Sequence, residues 1–316
     1  MWPMKRYFCH KLKICFIFCL MLAILCNRLS ITYTCGEIPS PPSRIVVFPL
    51  FAEEILLDMI SSEQIVYVGH EYWEHGEGYS PTMPLTASIP GNSWQNSSDD
   101  YILSCRPDLI ILPDELEDDY LQGSLFPALS QANIPVLFVH EPTNIQEIEA
   151  TILLLGDTVQ EPQKAAEMLA QMKAELNSIT EAMQKIPMTA RLHAVYYETW
   201  QMRFSFIADI CALQSVYAGS SYVHLDDVLI ADSHPDIIFF NATCLDTDGS
   251  IMTIDNEQYI NDRTSYLYAK SILGQTSAVL NSRVYPIHLH TSQYVVDSIK
   301  EIIQYAYPNI IIDFNK

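Results

Sequence analysis

The sequence predicts an α/β fold in two lobes, each built on a parallel-rich sheet and joined by one long helix. Three observations point there. Short β-branched runs alternate with helix-like segments in both halves of the chain, the pattern of parallel strands with helical crossovers. At mid-chain, EPQKAAEMLAQMKAELNSITEAMQKIP places Ala165, Met168, Met172, Leu176, Ile179 and Met183 at intervals of three or four residues, one apolar stripe between Pro162 and Pro187. A helix of about 25 residues spans nearly 40 Å. Finally, each half contains an acidic helix, a polar residue, Pro-Asp and an apolar strand: DDYILSCRPDLIIL in the first, DDVLIADSHPDIIFF in the second.

In order, RIVVF (44–48) reads as a buried strand that Pro49 ends, and AEEILLDMI follows as an amphipathic helix. QIVYVG (64–69) is a second strand, and a polar, aromatic loop fills 70–98. DDYILSC is helical and DLIIL (108–112) a strand. SLFPALSQAN is a short helix, PVLFV (135–139) a strand, and NIQEIEATILLLGD (144–157) a helix. Beyond the long helix come the strand RLHAVYY (191–197), the helices IADICALQSVYAG and HLDDVLIADS, and the strand DIIFF (236–240). The strand RVYPIHLH (283–290) and the terminal helix SQYVVDSIKEIIQYAYP complete the series. The expected divisions are a leader over 1–35, a linker over 36–43, a first lobe over 43–157, the linking helix within 158–187 and a second lobe over 188–316.

The 316 residues are 49% hydrophobic and 17% charged, a globular composition, with a formal net charge of −21. Of 17 Lys and Arg, five (Lys5, Arg6, Lys11, Lys13, Arg28) precede the first acid, Glu37. The remaining 12 face 38 Asp and Glu, so the body carries −26. Phosphate backbones would repel such a surface, which excludes a nucleic-acid-binding role.

Within the leader, the apolar run ICFIFCLMLAILC (14–26) follows lysines. Thirteen helical residues span about 20 Å, short of a hydrocarbon core of about 30 Å, so the run reads as a signal segment, with an N-terminal anchor as the alternative. Cys35 is the candidate for lipid attachment, although Thr32-Tyr33-Thr34 departs from the small residues such sites carry. The chain is therefore expected to be exported, in the periplasm or at the outer face of the cytoplasmic membrane. Pro39, Pro41 and Pro42 suit a tether. Cys105, Cys211 and Cys244 show neither a metal spacing nor a disulfide framework.

These segments, in this order and spacing, resemble the class III binding proteins of ABC importers, which include cobalamin-, ferric-siderophore- and haem-binding proteins. RIVVFPLFAEEILLDM resembles the family's opening strand, loop and helix. SSDDYILSCRPDLIIL resembles its N-x-E-x-I-x-x-L-x-P-D-L-V segment. NIPVLFV and the run through NIQEIEATILLLGDTVQEPQKAAEMLAQM resemble its G-I-P-V strand, its helix ending in Leu-Gly and the start of its linking helix, and SRVYPI resembles its late G-R-V-Y strand. The resemblance covers about residues 43–310. One departure is Ala218-Gly219-Ser220-Ser221, where the family has Gly-Gly. The resemblance implies a ligand cleft between the lobes and delivery of a small-molecule metal chelate to an ABC permease. It implies a monomer without enzymatic activity or resident cofactor, whose ligand itself carries iron or cobalt.

Tyr72 and Trp73, in the loop after the second strand, are the expected stacking partners for a flat organic ligand. Glu198, Trp200 and Arg203 follow the first strand of the second lobe, where Arg203 suits an anionic ligand group. Phe51, His140 and His288 complete the expected ligand-binding set. His70-Glu71-Tyr72-Trp73-Glu74-His75 superficially suggests a zinc-protease helix, but an i, i+5 spacing turns the second histidine about 140° from the first. A free-metal site drawn from His70, His140, His288 and His290 is the alternative, the last two being expected on one face of a strand. An enzyme on a related two-lobed scaffold is a third reading, and no GxGxxG, GxxxxGK[ST], GxSxG or CxxC pair supports it. In the family a carboxylate on each lobe, before the Pro-Asp strand, pairs with arginines of the permease. The matching residues are Asp100 in the first lobe and Asp226 or Asp227 in the second.

Overall fold

A computed structural model of the chain describes residues 33–34, 38, 41–69, 85, 89–91, 97–197, 201–216, 227–242, 256–270 and 272–312. Two sheets organise them. The first contains β1 (Tyr33–Thr34), β2 (Ile45–Val47), β3 (Ile65–Val68), β4 (Leu109–Pro113) and β5 (Val136–Val139), in the order β1-β5-β4-β2-β3. Four of these strands pair in parallel, and β1 adds antiparallel to β5, with Tyr33 opposite Leu137. The second contains β6 (His193–Tyr196), β7 (Gln214–Ser215), β8 (Ile237–Asn241) and β9 (Val284–Ile287), all parallel, in the order β7-β6-β8-β9. The α/β class read from the alternating pattern is thus the observed one.

The strands are apolar on both faces because helices cover both. In the first sheet Ile45, Val47, Leu109, Ile111, Leu137 and Val139 face one apolar layer, while Val46, Ile110, Leu112 and Phe138 face another. The first layer continues through α1 (Leu50–Leu57), α5 (Ile145–Thr158) and α6 (Pro162–Met183) into the second sheet and α11 (Val295–Ala306), so one core runs through both lobes. The opposite layer of the first sheet is closed by α2 (Asp99–Ser104), α3 (Glu117–Leu121) and α4 (Pro127–Gln131). That of the second sheet is closed by α8 (Asp227–Asp232), α9 (Asn256–Ala269) and α10 (Ser277–Leu280), and α7 (Gln201–Ala208) packs on β6.

Helix α6 is continuous over 22 residues, with Pro162 in its first turn. Ala165, Met172, Leu176, Ile179 and Met183 are its buried residues, the stripe that the periodicity marks. Lys173 pairs with Glu149 of α5 at 2.9 Å and Glu175 with Lys300 of α11 at 2.5 Å, so the helix holds an element on either side.

The repeated Pro-Asp has a structural cause. Asp108 accepts from the backbone N–H groups of Ser43 and Arg44, at 2.9 Å for its shortest contact with each, and Asp236 accepts from that of His193 at 3.0 Å. In each lobe the aspartate at the start of one strand satisfies the entrance of its parallel neighbour. The residue before each proline, Arg106 (φ 51°) or His234 (φ 52°), is left-handed, which turns the helix sharply into the strand.

Two expectations are corrected. The run expected as a helix over 207–219 breaks at Ala208; Ala212 is left-handed (φ 53°), and Gln214–Ser215 joins the sheet as β7 beside β6. The strand expected over 283–290 ends at Ile287, so His288 and His290 lie beyond it and do not share a strand face. Each histidine instead meets its own carboxylate, as set out below.

Candidate functional site

In parallel sheets, ligands collect outside the carboxyl ends of the strands. Here those ends converge from the two lobes. Glu54 of α1, just past β2, and Glu141, just past β5, both meet the segment that follows β9: His290 Nδ1 lies 3.0 Å from Glu54, and Thr291 Oγ1 donates to Glu141 at 3.4 Å. A separate depression of about 340 Å³ near Arg44, Ile65 and Cys105 lies at the opposite, amino-terminal end of the first sheet.

On the first lobe, His140 is exposed and its Nδ1 lies 2.8 Å from Asp114, which follows β4. A carboxylate only accepts, so Nδ1 carries a proton. The loop behind it is fixed by a reciprocal cap: Asn144 accepts from Glu147 N–H, and Glu147 accepts from the N–H and hydroxyl of Thr143. Burial raises the Glu147 pKa, but the two Thr143 bonds, that of Asn144 and the His140 charge outweigh it and hold the carboxyl below its usual range. Phe51 is only 6% exposed and packs in the core at the start of α1.

On the second lobe, His288 is half-buried; its N–H donates to Glu301 at 2.8 Å and its Nδ1 lies 3.5 Å from that carboxylate. His290 is almost enclosed beside Glu54. Among the described residues no three His, Cys, Asp or Glu side chains gather as a metal site. Arg203 lies in the first turn of α7, placed by its backbone. His70, Tyr72, Trp73, Glu198, Trp200 and Asp226 lie outside the described residues.

The carboxylates singled out beside the Pro-Asp strands differ. Asp99 accepts from Ala128 N–H at 2.6 Å and so ties α2 to α4, while its neighbour Asp100 is exposed and has no partner among the described residues. Asp227 accepts from Tyr197 at 2.7 Å and pairs with Lys270. Burial, then the bond to Asp227, pushes the Tyr197 hydroxyl up to about 12, and the bond to Asp227 raises the Lys270 ammonium well above its ordinary value.

Sequence reasoning missed Glu54. AEEILLDMI reads as an amphipathic helix, yet both its glutamates, Glu53 and Glu54, are 0% and 1% exposed while Asp58 faces solvent. Burial works against a charge on His290, but Glu54, and more weakly Asp297 and Glu301, carry its pKa above the usual histidine value. The Tyr294 ring packs edge-on 5.9 Å away. A raised folded pKa gives stability that is complete below the unfolded value and lost as pH climbs through the folded one. The melting-temperature gap between the protein and His290→Gln should therefore narrow as the pH rises above about 6.5, the ordinary histidine value. A gap that widens over this range would show that the imidazole is held neutral.

A family model described as periplasmic binding protein matches residues 45–289. Solved structures share the fold at low identity. A periplasmic binding protein from Veillonella parvula is 14% identical with a TM-score of 0.69, covering 89% of this chain and 100% of its own. The periplasmic haem-binding protein RhuT from Roseiflexus sp. RS-1 is 17% identical (TM-score 0.66; 85% and 99% covered). The molybdate periplasmic binding protein MolA from Haemophilus influenzae is 12% identical (TM-score 0.66; 86% and 88% covered). No curated protein matches the sequence. With a family model matched over most of its length and two parallel-sheet lobes flanking a 22-residue helix, the chain belongs to the periplasmic binding protein family, in the class III form that serves ABC importers.

Proposed function

We propose that the chain captures an iron or cobalt chelate (a siderophore complex, a corrinoid or haem) in the cleft between its lobes and hands it to an ABC permease without making or breaking a bond. The observation that carries this reading is the convergence of both sheets' carboxyl ends at Glu54, Glu141 and His290–Thr291. That fixed floor leaves the strand-end loops to form the walls. In sequence, Tyr72 and Trp73 follow β3 and Glu198 and Trp200 follow β6; Arg203 opens α7, His140 and His288 stand just past strand ends, and Phe51 packs in the core at the start of α1. Structural relatives named as haem-binding proteins support a flat chelate, which aromatic walls suit.

The test is to purify the chain without chelators and identify what accompanies it by metal analysis, absorbance and mass spectrometry. The expected result is iron or cobalt together with an organic chelator. Metal without any organic partner would overturn the reading in favour of the histidine site. For the identified chelate, Trp73→Ala and Trp200→Ala should each weaken binding by about tenfold or more, as removal of a buried aromatic anchor does.

A further inference from the structure

The helix α1 and the segment 290–294 belong to different lobes and lie 235 positions apart at their closest contact in sequence, yet a buried polar network joins them. Glu54 accepts from donors of the other lobe: His290 Nδ1 at 3.0 Å on Oε1 and Ser292 Oγ at 2.5 Å on Oε2. The Nε2 of Gln293 donates to the Glu54 carbonyl at 3.0 Å and to Asp58 Oδ2 at 2.8 Å, and the Tyr294 hydroxyl donates to Asp58 at 3.1 Å. The same segment opens α11: His290 N–H donates to Ser298 Oγ, and Tyr294 N–H to Ser292 Oγ. One turn further, Lys300 grips Glu175 of the linking helix.

Apolar packing alone would hold two lobes together while letting them slide, because the hydrophobic effect is non-directional. A carboxylate that is 1% exposed has no such latitude: it must keep its donors or face a steep desolvation cost. Its bonds fix direction as well as distance. Gln293 Oε1 is buried and accepts no hydrogen bond among the described residues, so the segment holds its place at this joint despite an unmet acceptor there.

We propose that Glu54 and Asp58, with His290, Ser292, Gln293 and Tyr294, form a pivot between the lobes that sets the cleft angle independently of the linking helix. Lobe motion then occurs about this joint while its bonds persist. The pivot is a property of the empty protein and does not rest on which ligand the cleft takes.

Hydrogen exchange and small-angle X-ray scattering of the full chain, without ligand, test it. In Glu54→Gln, and in the rim pair Asp58→Asn/Tyr294→Phe, amides of 290–294 and α1 should exchange at least about tenfold faster, as loss of one or two such bonds allows. The interior strands β4 and β8 should keep their protection, and the radius of gyration should increase. A role in stability alone would accelerate all these amides together and leave the scattering unchanged, and that result overturns the proposal, as does the absence of any change. Should Glu54→Gln fail to fold, the rim pair decides, because Asp58 is exposed and both replacements keep the side chains' shapes.

Discussion

Replacing Gly156 by alanine should destabilise the protein by about 2 kcal/mol, despite alanine's better helix propensity. Gly156 is buried within α5, where a Cβ would meet Ala165 Cβ at 2.4 Å, Glu161 O at 3.4 Å and Met59 Sδ at 3.6 Å. The first contact decides the sign. Both methyl groups would stand directly on helix backbones, so neither can rotate away, and α5 and α6 must part. Overpacking of this kind costs about 1–3 kcal/mol or more, against about 1 kcal/mol gained from propensity. Leucine at the same place should do worse. Because Ala165 supplies the opposing methyl, Ala165→Gly should lose stability in the parent yet recover much of the loss in Gly156→Ala, a coupling that urea unfolding of the four proteins measures. Additive effects would show that the helices accommodate the methyl without contact. The consequence for function is direct, since this contact seats the linking helix on the first lobe.

Glycine within a helix usually reads as a weakness, and here its position in LLLGD, just before the break at Gln160 (φ 61°) and Pro162, marks where two helices touch. The contact it makes with Ala165 was not legible in the sequence, but the end of the helix at Leu-Gly was. So were the central strands, because an apolar run such as DLIIL has no other use when helices cover both faces. The short edge elements were not. Gln214–Ser215 has no apolar pattern and becomes a strand only because Leu192 and Ala194 offer it backbone partners. Likewise Tyr33–Thr34 pairs with β5 by backbone bonds that no side chain announces.

The candidate site divides in the same way. His140 stands where the alternation of strands and helices puts a strand end. The pairing of Glu54 with His290 was beyond any local pattern, since each residue finds its partner in the other half of the chain. Two acids in an otherwise apolar helix were the one trace of it. A carboxylate amid Ile55, Leu56 and Leu57 is tolerated only when distant donors meet it. The same division explains the repeated Pro-Asp: the motif was plain, while its purpose, to satisfy the entrance of a parallel neighbour, required the sheet order.

Charge reversal at Asp100 should abolish delivery to the permease while leaving both stability and ligand affinity intact. Two roles compete for the acids beside each Pro-Asp strand, helix capping and the proposed docking, and the docking proposal falls on the neighbours of the acids that already serve the structure. On the first lobe, Asp99 already serves the structure by holding the N–H groups of Ala128 and Leu129, which leaves Asp100 exposed beside Tyr101, itself 49% exposed. On the second, Asp227 is engaged by Tyr197 and Lys270, so its replacement should cost fold stability before it costs transport. Val228 and Leu229 follow it, each more than half exposed, as Tyr101 follows Asp100 on the first lobe. A surface of this kind suits a partner carrying arginines within an apolar rim. A like charge placed at such an interface costs several kcal/mol, so uptake should fall by about a hundredfold or more in Asp100→Lys. Loss of a favourable charge at a helix start, by contrast, removes only about 0.3–1 kcal/mol of stability and would leave uptake near normal. Asp226→Lys should reproduce the transport defect on the second lobe, and Asp227→Asn should lower the melting temperature instead. If uptake survives in Asp100→Lys combined with Asp226→Lys, the acids only cap helices and the permease is met elsewhere on the lobes.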